Sequence, residues 1–144
     1  MSNSIRHVGI VVRNLEKSIQ FWEEIIGVKK IIDQIEKSPY IDELLGMQAK
    51  NLRTVKFIDE NNFIIELLHF PNKSNQEKWM GSLDSVGLTH IAITTKDIDE
   101  LVSRLNQNGY KSISNILKSP DNKVRVVFVY GPESLFLEVV EQLD

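Results

Sequence analysis

Residues 6–16, Arg-His-Val-Gly-Ile-Val-Val-Arg-Asn-Leu-Glu, recur class for class as residues 89–99, Thr-His-Ile-Ala-Ile-Thr-Thr-Lys-Asp-Ile-Asp, 83 positions later. Further along, residues 55–68 align without a gap with residues 127–140 at an offset of 72. A repeat of this length predicts one supersecondary unit formed twice. The first copy has 11 additional residues, which fall around residues 33–47.

Both copies have the residue pattern of a β-α-β-β-β module. Each opens with a run of mostly β-branched residues that is typical of a strand, at residues 8–12 and 91–95. Its last two strands are predicted at residues 52–58 and 63–70 in the first copy, and at residues 124–130 and 135–140 in the second. Short polar turns, residues 59–62 and 131–134, join these strands as hairpins. The predicted fold class is therefore α+β.

A helix is predicted after the first strand of each copy, because apolar residues recur there at helical spacing. The apolar positions are Leu15, Ile19, Trp22 and Ile26 in the first helix, and Ile98, Leu101, Val102 and Leu105 in the second. Asn14 and Gly27 delimit the first helix; Asp97, with Glu100 three residues later, and Asn108-Gly109 delimit the second. The insertion at 33–47 is interpreted as a lid or a site-lining loop. The connector, residues 71–85, is expected to hold one helical turn around Trp79.

Composition narrows the class of protein. The 144 residues fit one domain, or two small halves that share a core, with modules at residues 5–70 and 87–144 and a connector at 71–86. A net charge of −3 without a basic stripe argues against nucleic acid as a partner, and no segment indicates a membrane. The absence of cysteine excludes disulfides and thiolate ligands. Residues 1–6 are mostly polar, unlike a signal peptide, so a cytoplasmic location is expected.

Four residues at equivalent positions of the repeat are predicted to bind a metal ion: His7, Glu66, His90 and Glu138. A single histidine on a strand is more often a satisfied polar group than a ligand, and a single glutamate usually faces water. Here two of the three histidines and both glutamates coincide in the repeat, and a carboxylate flanked by apolar residues needs a partner. Two imidazoles and two carboxylates suit one Zn, Ni, Co, Mn or Fe(II) ion. The third histidine, His69, points to the opposite face and is interpreted as a strand-end residue.

Two arginines are candidates for substrate binding. If the turns are centred on residues 59–62 and 131–134, Val55 lies opposite Glu66 and Val127 lies opposite Glu138. Arg53 and Arg125 then share the face of the glutamates and could hold a carboxylate or phosphate. A register slip of one residue would turn both outward, where they would be solvated surface arginines.

Four segments resemble the vicinal oxygen chelate superfamily, which includes glyoxalase I, methylmalonyl-CoA epimerase, extradiol dioxygenases and fosfomycin-resistance transferases. They are HVGIVVRNLEKSIQFW at residues 7–22, IIELL at 64–68, GLTHIAI at 87–93 and LFLEVVE at 135–141. The resemblance implies two tandem βαβββ modules that form a curved, cup-shaped mixed sheet with helices outside. It also implies a small-molecule substrate with two adjacent oxygens, and a homodimer.

By this resemblance, His7, Glu66, His90 and Glu138 match the four ligands of glyoxalase I and of many epimerases. The implied activity is a metal-dependent lyase or isomerase that stabilises an enolate-type intermediate, with Glu138 as the first candidate for the base and Glu66 as the second. The alternatives are an epimerase acting on methylmalonyl-CoA, an Fe(II) ring-cleaving dioxygenase, and a non-catalytic resistance-type binding protein. Lys50 occupies the region where epimerases tend to carry an acidic residue, so the substrate stays open.

Overall fold

The computed structural model describes residues 2–73 and 76–144. The chain divides into two compact units, Met1–Glu77 and Lys78–Asp144. The predicted modules fall within these units, one in each. In the part of the chain that the structure describes, no helix has the length and apolar character needed to cross a membrane.

Unit 1 contains a four-stranded mixed sheet. Its elements are β1 (Val8–Val11), α1 (Leu15–Gln20), which continues as a π-helical segment (Phe21–Ile26), β2 (Lys29–Ile35), α2 (Tyr40–Leu45), β3 (Arg53–Ile58) and β4 (Ile64–His69). The strand order is β1-β4-β3-β2, with β1 parallel to β4 and the other pairs antiparallel.

Unit 2 repeats this topology. Its elements are β5 (His90–Thr95), α3 (Ile98–Gln107), β6 (Leu117–Lys118), β7 (Val124–Tyr130), a 3₁₀ turn (Pro132–Ser134) and β8 (Phe136–Gln142). The order β5-β8-β7-β6, with a parallel β5–β8 pair, matches that of unit 1. The predicted α+β fold of two tandem βαβββ modules is confirmed. The helical turn predicted around Trp79 is wrong, because residues 76–85 form no helix.

The first helix begins as predicted but changes its winding. The Asn14 side chain accepts a hydrogen bond from the Lys17 backbone N–H, and Gly27 ends the helix with a left-handed φ of 88°. The Gly27 N–H donates to the Trp22 carbonyl, five residues back, at 3.0 Å, which is the π-helical pattern. This wider turn brings Ile25 into the core, whereas Ile26, which the regular spacing favoured, is only half-buried.

Helix α3 follows the prediction closely. The Asp97 carboxylate accepts a hydrogen bond from the Glu100 N–H at 3.0 Å, and Gly109 follows the helix with a φ of 88°. All four predicted apolar positions, Ile98, Leu101, Val102 and Leu105, are buried. The periodicity and the cap together therefore defined this helix from sequence.

The insertion of the first copy is an ordered segment that contains α2. Ile41 of this helix is buried with Ala49 and Leu52, and the partly buried Leu68 and Phe70 pack against this cluster. Leu68 lies two residues after Glu66 on β4, so both side chains share one face of the sheet. The insertion thus packs on the face that carries the glutamate, and its role in lining a site stays a prediction.

The predicted register of both hairpins is wrong by one residue. The structure places Lys56 opposite Glu66 and Phe128 opposite Glu138, where Val55 and Val127 were expected. The reason is turn length, since each turn has five residues, 59–63 and 131–135, rather than four. In the first turn the Asp59 carboxylate accepts hydrogen bonds from the backbone N–H groups of Asn61 and Phe63, which holds Phe63 in the turn.

This register places Arg53 and Arg125 on the face opposite the glutamates, so the prediction that they share the glutamate face is wrong. Arg53 donates two hydrogen bonds to Asp33, both at 2.8 Å, and one to Glu16 at 3.0 Å. Arg125 donates two hydrogen bonds to Asp99, at 2.8 and 2.9 Å. Glu16 lies on α1 and Asp99 on α3, so each arginine ties the helix of its module to the sheet. Glu16 and Asp99 are also equivalent in the repeat.

The Arg53–Asp33 pair should make the stability of the protein depend on pH. Hydrogen bonds from Arg53 lower the pKa of the Asp33 carboxyl from its ordinary value of 3.8. A lowered pKa in the folded state adds stability above the pKa of the unfolded chain, and this stability is lost as the pH falls through the folded value. Asp33→Asn should therefore lower the free energy of unfolding at pH 6, and the difference from wild type should shrink below about pH 3.8.

Urea unfolding of both proteins at a series of pH values measures this difference. Asp144→Asn, which removes a carboxylate beyond the end of β8, is the control and should show no comparable effect. A difference between Asp33→Asn and wild type that stays constant down to pH 3 would contradict the ion-pair interpretation.

Candidate metal-binding residues

In unit 1, the parallel pairing of β1 with β4 brings His7 next to Glu66. Gly9 of β1 lies opposite Glu66, and His7 precedes it by two residues on the same face. The His7 Nε2 atom is 3.5 Å from Glu66 Oε1. A Cβ at Gly9 would lie 3.3 Å from the Leu68 side chain, a tight contact, and 4.0 Å from Glu66 Oε1, an ordinary van der Waals distance.

Unit 2 builds the equivalent pair in the same way. Ala92 of β5 lies opposite Glu138, and the His90 Nε2 atom is 3.2 Å from Glu138 Oε2. The other ring nitrogen of His90 is 2.8 Å from the Thr89 hydroxyl oxygen. The Phe128 ring packs edge to face against the His90 ring, with 5.1 Å between the ring centroids, and supports the imidazole from one side.

The donor atoms suit a first-row divalent cation. Ligand atoms that each lie about 2.1 Å from one ion in tetrahedral or octahedral geometry are about 3.0–3.4 Å apart. The His90–Glu138 separation falls in this range, and the His7–Glu66 separation is close to it. The glutamate side chains are 14% and 28% exposed, so both carboxylates are shielded but accessible from one face.

Lys56 lies beside Glu66, a neighbour that the predicted register did not place there. Its Nζ atom is 3.5 Å from Glu66 Oε2, the carboxylate oxygen that does not face His7. Strand alternation would have placed Lys56 on the face of Glu66 had the five-residue turn been recognised. A cation bound by Glu66 would therefore have a lysine ammonium as its neighbour.

Within either unit taken by itself, the described residues contain no group of three or more His, Asp or Glu side chains that could hold an ion. Each unit contributes one pair, and the binding of one ion by all four residues stays a prediction. Arg53 and Arg125 do not join these pairs, because they lie on the opposite face. His69 ends β4 as predicted, and its ring nitrogen is 3.1 Å from the Val12 carbonyl.

Known proteins share this architecture. A glyoxalase family protein from Bacillus cereus superimposes with a TM-score of 0.87 at 23% identity, over 97% of this chain and 94% of that one. A fosfomycin resistance protein from Listeria monocytogenes, solved with Mn(II) and sulfate, gives a TM-score of 0.65 at 16% identity, over 99% and 95% of the two chains. These likenesses are evidence for the fold alone.

Sequence comparison adds a relative with a named activity. The mitochondrial methylmalonyl-CoA epimerase of Dictyostelium discoideum is 28% identical over 140 residues, which cover 95% of this chain and 75% of that protein. The profile of the Glyoxalase/Bleomycin resistance protein/Dioxygenase superfamily matches residues 4–139. This match covers nearly the whole chain, including all four predicted ligands. The protein therefore belongs to the Glyoxalase/Bleomycin resistance protein/Dioxygenase superfamily.

Proposed function

We propose that this protein is a metal-dependent lyase or isomerase of the glyoxalase type, in which His7, Glu66, His90 and Glu138 bind one divalent ion. The observation that carries the proposal is the repeated pair, an imidazole nitrogen within 3.5 Å of a carboxylate oxygen at the same position of both modules. A single pair of this kind is explained by a role in stabilising the fold. Two such pairs, each on an accessible face of its own sheet, in a superfamily whose name includes two classes of enzyme, support a functional origin.

The donor set supports a range of ions rather than one. Two imidazoles and two carboxylates accept Zn, Ni, Co, Mn or Fe(II), and the two carboxylates balance the charge of a dication. The manganese in the related fosfomycin resistance protein makes Mn²⁺ a reasonable first ion to test. When bound, such an ion polarises the oxygens of a substrate and so eases removal of a proton from the neighbouring carbon.

Glu138 is the better candidate for the residue that takes this proton. Its side chain is 28% exposed, twice the fraction of Glu66, and among the described residues its ion-pair partner is the His90 imidazole. Glu66 is held by both His7 and Lys56, which restricts its movement. A base must reach the carbon acid at hydrogen-bonding distance, and the less restrained carboxylate can do so with a smaller cost.

Proton transfer next to a carbonyl is also the chemistry of an epimerase. The identity to the Dictyostelium enzyme makes an epimerase-like reaction the second candidate. The two candidates share the roles of the four ligands and differ in the substrate. We further propose a homodimer; the four ligands can then come from one chain or from two copies of it.

Metal binding is the direct test. We expect the purified protein, stripped of metal, to bind about one Mn²⁺ per chain, and His90→Ala to weaken this binding by about 100-fold or more, because a nitrogen ligand is lost. Isothermal titration calorimetry measures both. His69→Gln is the matched control, since it alters the one histidine outside the two pairs and should leave Mn²⁺ binding unchanged. Equal binding by wild type and His90→Ala would exclude the proposed ligand set.

The assignment of the base has a separate test. With any substrate that the wild type converts in a screen of methylglyoxal–thiol adducts and methylmalonyl-CoA, Glu138→Gln should lower kcat by about 100-fold or more. Exchange of the substrate proton with deuterium from solvent should fall in parallel. Glu66→Gln is the comparison variant; a larger loss of exchange in Glu66→Gln than in Glu138→Gln, with metal content matched, would reverse the two roles.

A further inference from the structure

The residue that distinguishes the two pairs is Lys56. It lies on β3 directly opposite Glu66, with its ammonium nitrogen 3.5 Å from Glu66 Oε2. The Lys56 side chain is 21% exposed, so its ammonium group is partly shielded but open to a small molecule. A shielded ammonium interacts more strongly with a nearby anion than one in bulk water does.

The repeat differs at this position. The 72-residue offset that aligns Glu66 with Glu138 places Phe128 at the position of Lys56. The neighbours on the other face are apolar in both copies: Val55 and Phe57 are buried in unit 1, as are Val127 and Val129 in unit 2. The packing face of the strand is thus apolar in both modules, whereas the glutamate face carries a cation in one and an aromatic ring in the other.

The exchange of Lys56 for Phe128 between the modules changes the net charge around a bound ion. Two carboxylates neutralise a dication, so a centre made of Glu66, Glu138 and two neutral imidazoles would carry no net charge when loaded. Lys56 adds one positive charge to that centre. Lys56 and the metal ion would also share the Glu66 carboxylate, and an anionic oxygen placed near both cations would relieve their mutual repulsion.

We propose that Lys56 is a specificity-determining residue that binds a carboxylate oxygen of the substrate and so selects 2-oxo or 2-hydroxy acids over neutral compounds. This inference rests on the proposed function, because it needs an ion held by Glu66. A 2-oxo acid has two adjacent oxygens that can bind the ion and a negative charge that can pair with Lys56. The lysine ammonium supplies a charge-assisted hydrogen bond to that carboxylate.

Oxalate is a suitable probe, because it is a small dianion with adjacent oxygens. The experiment first titrates Mn²⁺ into each metal-free protein and then oxalate into each Mn²⁺-loaded protein, by isothermal titration calorimetry. Lys56→Met removes the charge at nearly constant length, and Lys56→Arg retains the charge. Lys118→Met removes an exposed lysine of β6, an edge strand that pairs with β7 and does not adjoin a strand that carries a ligand, and is the matched control.

We expect Lys56→Met to weaken oxalate binding by about tenfold, the loss typical of one hydrogen bond to a charged group. Mn²⁺ should bind Lys56→Met as tightly as wild type or more tightly, since Glu66 is then no longer shared. Lys56→Arg should retain most of the oxalate affinity, and Lys118→Met all of it. Opposite effects on metal and anion would not arise from a general loss of structure.

The outcomes separate the two proposals. If wild type binds no Mn²⁺, the proposed function fails and this inference falls with it. If wild type binds Mn²⁺ but Lys56→Met binds oxalate as tightly as wild type, only the role of Lys56 is overturned. An equal loss of oxalate affinity in Lys118→Met would also overturn it, because the effect would then reflect the overall charge of the protein.

Discussion

The parallel pairing of the first and last strands of each module determines where the candidate metal ligands lie. In both modules the histidine lies at the start of the first strand, and the glutamate lies within the last strand, on the same face of the sheet. Parallel neighbours need a long crossover connection, and the helix with the two intervening strands provides it. The imidazole and the carboxylate, 59 residues apart in unit 1 and 48 in unit 2, become neighbours through this pairing. Every functional proposal made for the protein depends on it.

The two modules place different surroundings around the same pair. In unit 1 the carboxylate is shared between an imidazole and an ammonium group, so it is restrained and its charge is partly balanced. In unit 2 an aromatic ring lies beside the histidine, and among the described residues the carboxylate pairs with the imidazole of His90. An internal duplication can thus place equivalent glutamates in unlike surroundings, one beside an ammonium group and the other beside an aromatic ring. The four predicted ligands occupy equivalent positions of the repeat, but the charged groups around them differ between the two units.

Much of this could be predicted from sequence, and the errors have physical causes. Residue periodicity and capping predicted α3, strand-like runs around short polar turns predicted both hairpins but not their register, and the repeat identified each His–Glu pair. The register failed because four- and five-residue turns look alike in sequence, and a shift of one residue exchanges the faces of a strand. That error gave Arg53 and Arg125 a role at the glutamates and hid Lys56. The π-helical winding near Ile25 was also beyond prediction, since it depends on packing that no local pattern encodes.

The alternation of β3 and β7 has a consequence for how this architecture can diversify. The buried faces of these strands carry Val55, Phe57, Val127 and Val129, while the opposite faces carry residues as unlike as lysine and phenylalanine at equivalent positions. A substitution on the face opposite the core leaves the buried packing in place, so the residues beside the glutamates can change without disturbing the core. A duplicated scaffold of this kind can change its ligand repertoire one side chain at a time, in either half independently.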